Sequence, residues 1–216
     1  MISDFEIAQI SQAINLRLSY YETISFANIL AESSIRYPVA EYLERRLSYK
    51  NIVLEYTNPI FKRRRCDLYV ERKGRKTIFE FKYVRDTTAS LFQDYFDDIL
   101  RLHYLHADGI QALFIVCGSP VNFNSQFRSI KKRTSFLAGR KGRASGPFLK
   151  VLSFSTANPL KTIDTKKHKS SYNEFCKHYE FRNATKSHPG AMTIQTRLIK
   201  LIHDWGQQSV GIWEVL

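Results

Sequence analysis

Three charged residues stand close together in the segment RRRCDLYVERKGRKTIFEFKYV, residues 63–84. Glu80 and Lys82 are two positions apart in an apolar run, so in a strand their side chains point to the same face. Asp67 comes earlier in the segment, and a turn near Gly74 would bring it back toward Glu80. Two carboxylates that meet in this way repel each other unless a cation lies between them. The segment therefore predicts a divalent-cation site with a lysine beside it.

Such a set of side chains suits the hydrolysis of a phosphate ester. Carboxylate oxygens are preferred ligands of Mg²⁺ and Mn²⁺, and Mg²⁺ usually keeps several waters and completes its shell with substrate phosphate. The amine of Lys82 could then orient or deprotonate an attacking water, or stabilise the charge that develops. The alternative interpretation is a strand with one solvated face that forms ordinary cross-strand ion pairs.

The flanking segments predict the elements that would position this set. Apolar residues at helical spacing predict helices over 4–21 and 25–47, with Pro38 interrupting the second. A third, amphipathic helix is predicted over 88–106. β-branched, aromatic and apolar runs predict four strands, of which the second and third form a hairpin: NIVLEYTNPI, CDLYVER, TIFEFKYV and IQALFIVCG. This order predicts an α/β fold with a mixed β-sheet core flanked by helices.

The pattern after Gly118 is weaker. FLKVLSFS, residues 148–155, predicts a strand, and TIQTRLIKLIHDWG, residues 193–206, predicts a helix with apolar residues on one face. SVGIWEVL predicts a last strand. We interpret the chain as one domain over residues 1–216, with a core of about 26–117 and a basic C-terminal elaboration over about 118–216.

The segment Asp67 followed by Glu80-Phe81-Lys82 resembles the PD-(D/E)XK nuclease superfamily. That superfamily includes many restriction endonucleases, Holliday-junction resolvases and repair nucleases. The resemblance also includes the glutamate-bearing helix before the strands and the helix and buried strand after them, and it covers roughly residues 26–117. It implies a restriction-endonuclease-like fold and a deoxyribonuclease that uses Mg²⁺ or Mn²⁺, in restriction or defence, repair or recombination.

The resemblance also implies roles for particular residues. Asp67 and Glu80 would bind the metal together with the main-chain carbonyl of Phe81, and Lys82 would position or activate water. Some branches of the superfamily carry a functional glutamine on the helix after this motif, and Gln93 occupies the matching helix.

A glutamate from the helix before the strands often completes the site in this superfamily. The candidates here are Glu32, Glu41 and Glu44. At about 100° per residue, Glu32 falls on the apolar face if the helix continues past Pro38, whereas Glu41 falls nearly opposite. A glutamate that faces a sheet is costly without a partner. We therefore favour Glu32.

The positive charge is concentrated in the second half of the chain. The net charge is +13, and residues 118–216 carry 17 Lys and Arg against 5 Asp and Glu. Such an excess favours a polyanionic partner, with nucleic acid, and DNA in particular, as the leading candidate. The basic runs supply the candidate phosphate-binding residues Arg63, Arg64, Arg65, Lys131, Lys132, Arg133, Arg140, Lys141 and Arg143.

Other features of the sequence narrow the function class. No apolar run approaches the ~18 residues of a membrane span, and the N-terminal segment lacks the pattern of a signal peptide. Three widely spaced cysteines favour a reducing cytoplasm. We expect Asp94, Asp97 and Asp98 to form a solvated acidic face. A catalytically inactive nucleic-acid-binding or complex-docking subunit, RNA as substrate, and a homodimer remain open alternatives.

Overall fold

The computed structural model describes residues 1–24, 30–85, 91–127, 151–203 and 208–216. One turn of 3-10 helix, Thr165–His168, precedes the last helix. The helices are α1 Asp4–Thr23, α2 Ser33–Leu47, α3 Leu91–Ala107, α4 Pro120–Phe127 and α5 Lys169–His178. The strands are β1 Asn51–Thr57, β2 Arg65–Arg72, β3 Arg75–Val84, β4 Gln111–Gly118, β5 Leu160–Asp164, β6 Thr193–Ile202 and β7 Ser209–Val215.

The strands form one mixed sheet of seven strands in the order β1-β2-β3-β4-β7-β6-β5. β1, β2 and β3 are antiparallel neighbours, whereas β3 and β4 are parallel and are joined by α3 as a crossover. β7 lies antiparallel to β4, and β6 and β5 continue the sheet beyond it. The predicted α/β class with a mixed sheet flanked by helices is confirmed, and strands from residues 160–215 extend the same sheet.

Each face of the sheet is covered by helices. One apolar layer joins α1 and α2 to Phe79 and Phe81 of β3, and the other joins α3 and α5 to Ile78. The alternation predicted for β3 is therefore present, and it directs Glu80 to the α3 side together with Ile78. None of the helices in the described residues is long and apolar enough to cross a membrane.

α2 is continuous through Pro38, so the predicted interruption there is wrong. A proline inside a helix leaves one main-chain carbonyl without its hydrogen bond. Burial of Ile35, Val39 and Leu43 along one side of the helix offsets that loss. The predicted start near Ser25 lies outside the described residues, and the helix begins at Ser33.

β6 occupies residues that the sequence predicts as a helix. The prediction rested on apolar residues at spacings of four and three, Ile194, Leu198 and Leu201. A register shift between Leu198 and Lys200 explains this spacing, because a bulge adds one residue and moves Leu201 back to the face of Leu198. The strand predicted at 148–155 is also wrong over its described part, since residues 151–155 form no strand.

Gly211 allows the indole of Trp213 to fold back over β7. A Cβ atom at residue 211 would overlap the six-membered ring of this fully buried tryptophan. We expect Gly211→Ala to lower the free energy of unfolding by about 1–3 kcal/mol, because the ring must move within a closely packed core. Urea denaturation measures the change. Gly190→Ala is the control, because no atom lies within 4 Å of its added Cβ; equal stability of the two variants would contradict this packing.

Candidate active site

The hairpin of β2 and β3 brings Asp67 to the Glu80-Phe81-Lys82 segment. Its two-residue turn, Lys73-Gly74, has positive φ at both positions, as a tight hairpin turn requires. From there the strands pair as far as Leu68 and Phe79. Beyond that pair the Asp67 side chain continues the link, because its Oδ2 accepts the main-chain N–H of Phe81 at 2.8 Å.

Glu80 and Lys82 are connected through two residues of α3. The Glu80 carboxylate, 3% exposed, lies 3.2 Å from Nη1 of Arg101. Arg101 also pairs through Nη2 with Asp98, and the other oxygen of Asp98 lies 2.9 Å from Nζ of Lys82. Opposite charges therefore alternate along a buried chain, which is how a protein interior tolerates ionised groups.

Glu32 lies at the outer end of this chain of charges. It immediately precedes α2, and its Oε1 is 3.4 Å from Nζ of Lys82. Glu41 pairs instead with Arg45 on the exposed side of α2, and Glu44 is exposed. Of the three candidate glutamates, Glu32 is the one beside Lys82.

Arg36 connects Asp67 to the edge strand β1. Its Nη1 lies 3.3 Å from Oδ1 of Asp67 and also pairs with the Glu55 carboxylate. Glu55 has φ of 52°, a left-handed conformation that costs about 1 kcal/mol or more for a residue other than glycine. Both oxygens of Asp67 thus have protein partners, Arg36 and the N–H of Phe81.

The linked side chains carry more negative than positive charge. The carboxylates of Glu32, Glu55, Asp67, Glu80 and Asp98 surround three cations, and when all groups are ionised the excess is two negative charges. A divalent cation would balance this excess.

The pKa values of the buried groups reflect this arrangement. Burial, helped by the charges of Asp98 and Asp67, raises the pKa of Glu80 well above its ordinary value although Arg101 opposes the shift. Burial acts in the same direction on Asp98, but Lys82 and Arg101 outweigh it and lower that pKa. Burial alone would lower the pKa of Lys82, and the neighbouring carboxylates, chiefly Asp98, raise it instead. Lys82 is therefore protonated in this arrangement.

The oxygen atoms around Asp67 and Glu80 determine which metal this site could hold. Among the described residues, no group of three or more His, Cys, Asp or Glu side chains is arranged to hold a metal ion. Mg²⁺ commonly takes only one or two carboxylates. Oε1 of Glu80 is buried and accepts no hydrogen bond of good geometry, although Arg101 lies within ion-pair distance. The N–H and C=O groups of one residue in a strand point to the same side of that strand. Since the N–H of Phe81 donates to Asp67, the carbonyl of Phe81 points toward β2 as well. Two carboxylates and one carbonyl are a donor set of the kind that Mg²⁺ takes, and a bound ion would compete with Arg36 for the Asp67 carboxylate.

Gln93, the glutamine predicted to act at the site, forms its hydrogen bonds with residues of α3 and α5. Its Nε2 donates to Asp97 at 2.6 Å and to the carbonyl of Ser171 in α5 at 3.0 Å, so it ties α3 to α5. The expectation that Asp94, Asp97 and Asp98 form a solvated face is wrong for the last two, which are buried. Burial of Asp97 raises its pKa to about 6, and Asp98 adds to the shift against the bond from Gln93.

Sequence reasoning missed Arg36, Asp98 and Arg101. A signal for Asp98 was present, because it lies three residues after Tyr95 and four before Leu102, within the apolar stripe of α3. A carboxylate inside such a stripe needs a buried cation. Arg101, one turn later, is the nearest residue that could supply it, and it does so.

The predicted phosphate-binding residues fall into two groups. Arg63, Arg64 and Arg65 lie at the entry to β2, next to Asp67, with Arg63 and Arg65 exposed. The remaining predicted residues lie outside the described residues: Lys131, Lys132, Arg133, Arg140, Lys141 and Arg143.

Comparison of the chain with protein-family models, curated proteins and solved structures finds no match. The assignment of a function therefore depends on the geometry and chemistry of the residues described above.

The raised pKa of Asp97 predicts how its replacement affects stability. A carboxyl group that titrates near pH 6 when folded and near pH 3.8 when unfolded favours folding below pH 3.8 and loses that advantage as the pH rises to 6. We expect Asp97→Asn to match the wild type at pH 3.5 and to be more stable by about 1–2 kcal/mol above pH 7, allowing for solvent screening. Urea denaturation across this range measures it; a difference that does not depend on pH would contradict the assignment.

Proposed function

We propose that this protein is a Mg²⁺- or Mn²⁺-dependent nuclease of the PD-(D/E)XK type that hydrolyses phosphodiester bonds of DNA. The observation that carries the proposal is the link between Asp67 and the Glu80-Phe81-Lys82 segment at the open end of the hairpin. With every linked group ionised, the excess of two negative charges is the charge that a divalent cation would balance. The order helix, three strands, helix, parallel strand matches the resemblance on which the sequence prediction rests.

The proposed roles follow from what each residue contacts. Asp67, Glu80 and the Phe81 carbonyl would hold the metal, which supplies a Lewis acid for the phosphate and lowers the pKa of bound water. Lys82 is protonated and held at 2.9 Å by Asp98, so it suits orienting a water or stabilising developing negative charge. Glu32, half-exposed at the mouth of the site, has its pKa raised mainly by burial and could accept a proton from that water.

The charge of the chain supports a polynucleotide substrate. The net charge is +13, and four consecutive cations, Lys62 to Arg65, precede Asp67 with one residue between them. Phosphate contacts from Arg63 and Arg65 would give affinity and register without reading sequence. The segment 128–143 adds seven Lys and Arg without an acid, and its role in binding stays a prediction. All three cysteines are free, which fits the proposed setting in the cytoplasm.

One observation favours a second function, a nucleic-acid-binding protein without catalysis. Asp67 is engaged by Arg36, and Glu80 by Arg101, so protein cations already balance part of the charge of the proposed metal ligands. A buried ion-pair network of this kind can serve structure alone. The two functions differ in whether a divalent metal binds at Asp67 and Glu80.

Replacement of the proposed metal ligands separates these functions. We expect Asp67→Asn, Glu80→Gln and Lys82→Gln each to reduce cleavage of linear, circular or branched DNA at least 100-fold in Mg²⁺, because each removes a group that acts on the reacting phosphate. Affinity for DNA in EDTA should change by less than about threefold, since these changes leave the basic surface in place. Gel assays measure cleavage, and fluorescence anisotropy measures binding.

Asp94→Asn is the matched control, because it removes one carboxylate from an exposed position of α3. It should retain the wild-type rate. Two results together would support the non-catalytic function instead. The first is DNA binding without cleavage in either Mg²⁺ or Mn²⁺, and the second is that calorimetry detects no Mn²⁺ binding that depends on Asp67.

The position of Glu32 predicts a contrast between two glutamates of the same helix region. Glu32→Gln should lower kcat by about 10- to 100-fold, because the group beside Lys82 can no longer accept a proton. Glu41→Gln should leave kcat unchanged, because Glu41 pairs with Arg45 in solvent. Steady-state cleavage assays decide the question, and the reverse order of effects would remove Glu32 from the site.

A further inference from the structure

The loop between β1 and β2 holds three consecutive cations, Lys62, Arg63 and Arg64, and Arg65 follows as the first residue of β2. The main-chain N–H of Asn58 donates to the carbonyl of Arg64 at 2.9 Å and closes the loop. The side-chain oxygen of Asn58, a fully buried residue, accepts the N–H groups of Ile60 and Phe61, both at 2.9 Å. Such local bonds keep a turn in one conformation without help from the sheet.

The same loop is tied to the segment that follows α5. Phe61 forms a bridge with Phe181, and the N–H of Lys62 donates to the carbonyl of Glu180 at 2.8 Å. Arg182 donates to the loop twice, through its main-chain N–H to Ile60 at 2.7 Å and through Nε to Asn58 at 2.6 Å. The loop therefore presents its cations from a preorganised backbone, which lowers the entropy lost when a ligand binds.

One aromatic ring separates this loop from the candidate active site. The guanidinium of Arg64 stacks on the ring of Tyr179 at 4.3 Å and donates to the carbonyl of His178 at 3.0 Å. The guanidinium of Arg101, which contacts Glu80, lies 5.8 Å from the same ring and donates to the carbonyl of Arg65 at 3.0 Å. Ligand bound at the loop would thus lie beside the proposed metal ligands.

A cavity of about 480 Å³ opens between the loop and the end of α5, lined by Lys62, Arg63, Arg64, His178 and Glu180. Glu180 is the one carboxylate among these residues; it lies 3.5 Å from Lys62 and is largely exposed, so it neutralises little of the charge. Arg63 is exposed and has φ of 52°, a left-handed conformation that is rare for arginine. Strain of this kind persists where the surroundings impose it, often at binding sites.

We propose that this cavity is a preformed subsite for the backbone phosphates of a polynucleotide, in which Lys62 and Arg63 make the contacts and Arg64 is the fixed floor. The position of the substrate relative to catalysis rests on the proposed function, whereas the binding does not. Arg63 precedes Asp67 by four residues, so the two lie at most roughly 13 Å apart, the length of that segment if it were fully extended. At about 3.4 Å per nucleotide, the subsite holds phosphates within about four nucleotides of the active site.

Two double variants of the full-length chain test the subsite. Lys62→Ala with Arg63→Asn removes two charges, and asparagine tolerates the left-handed backbone at residue 63. Lys73→Asn with Lys76→Ala is the matched control: both residues are exposed cations, Lys73 also has φ of 52°, and both lie at the far end of the hairpin. Equal melting temperatures establish that each variant folds.

Binding to a 20-base-pair duplex and to the matching single strand is measured by fluorescence anisotropy in EDTA at 50–200 mM KCl. The first variant should flatten the slope of log affinity against log salt on duplex by about 1.8, close to 0.9 per contact. Between 50 and 200 mM KCl, the fold-loss of affinity should therefore be about ten times smaller for this variant than for the wild type. At 50 mM KCl, the variant should bind the duplex more weakly than the wild type. The control variant should keep the wild-type slope.

The results separate the subsite from the proposed catalysis. A changed slope in the first variant alone supports the subsite even if the wild type cleaves nothing, and in that case only the nuclease proposal fails. Equal slopes in the two variants, no polynucleotide binding by the wild type, or binding of an acidic peptide such as poly-glutamate with the same dependence on Lys62 and Arg63 would overturn it. Inorganic phosphate that displaces the oligonucleotide at an equal concentration would also overturn the subsite, because the cavity would then be a site for the free ion.

Discussion

The pairing of α3 with β3 through Arg101 is the contact on which the rest of the site depends. Glu80 lies in β3 between Phe79 and Phe81, which are fully buried. Its own carboxylate is therefore not accessible to water. Removal of one partner from such a pair costs about 3–5 kcal/mol, whereas the intact pair contributes little net stability. Arg101 therefore does more to fix where α3 lies against the sheet than to stabilise the fold. Asp98 then extends the same contact to Lys82 and so connects two positions of β3 through one turn of helix.

The arrangement of the chain follows from where those residues must meet. The hairpin brings β2 alongside β3, and the crossover through α3 returns the chain as the parallel strand β4. Asp67 and the loop before it lie at the same end of the hairpin, and the segment after α5 packs beneath that loop. Residues from α2, the β2–β3 hairpin, α3 and the segment after α5 thus converge at one end of the sheet, together with Glu55 of β1. The proposed cleavage and the proposed backbone subsite both use this convergence.

Much of this arrangement could be predicted from the sequence, and the exceptions have physical reasons. Strands β1 to β4, the hairpin and α3 were predictable, because alternation, turn residues and apolar runs are local signals. β6 was not, since a bulge gave its apolar residues a helical spacing. The approach of Asp67 to the Glu80-Phe81-Lys82 segment was predictable from strand alternation and the hairpin, whereas the position of Arg36 was not. Its contact with Asp67 depends on how α2 lies against β2, a tertiary relation that no local pattern encodes.

Glu55, the residue of β1 with a left-handed backbone conformation, affects whether another protein chain can pair with this edge of the sheet. β1 lies at the border of the sheet, and its outer main-chain groups have no neighbouring strand within the described residues. Glu55 interrupts that border in mid-strand with a reversed backbone twist and an exposed charge. A regular, uncharged border invites another chain to add a strand and begin aggregation. Glu55, which pairs with Arg36 beside Asp67, thereby also disfavours the addition of strands from other chains to this edge of the sheet.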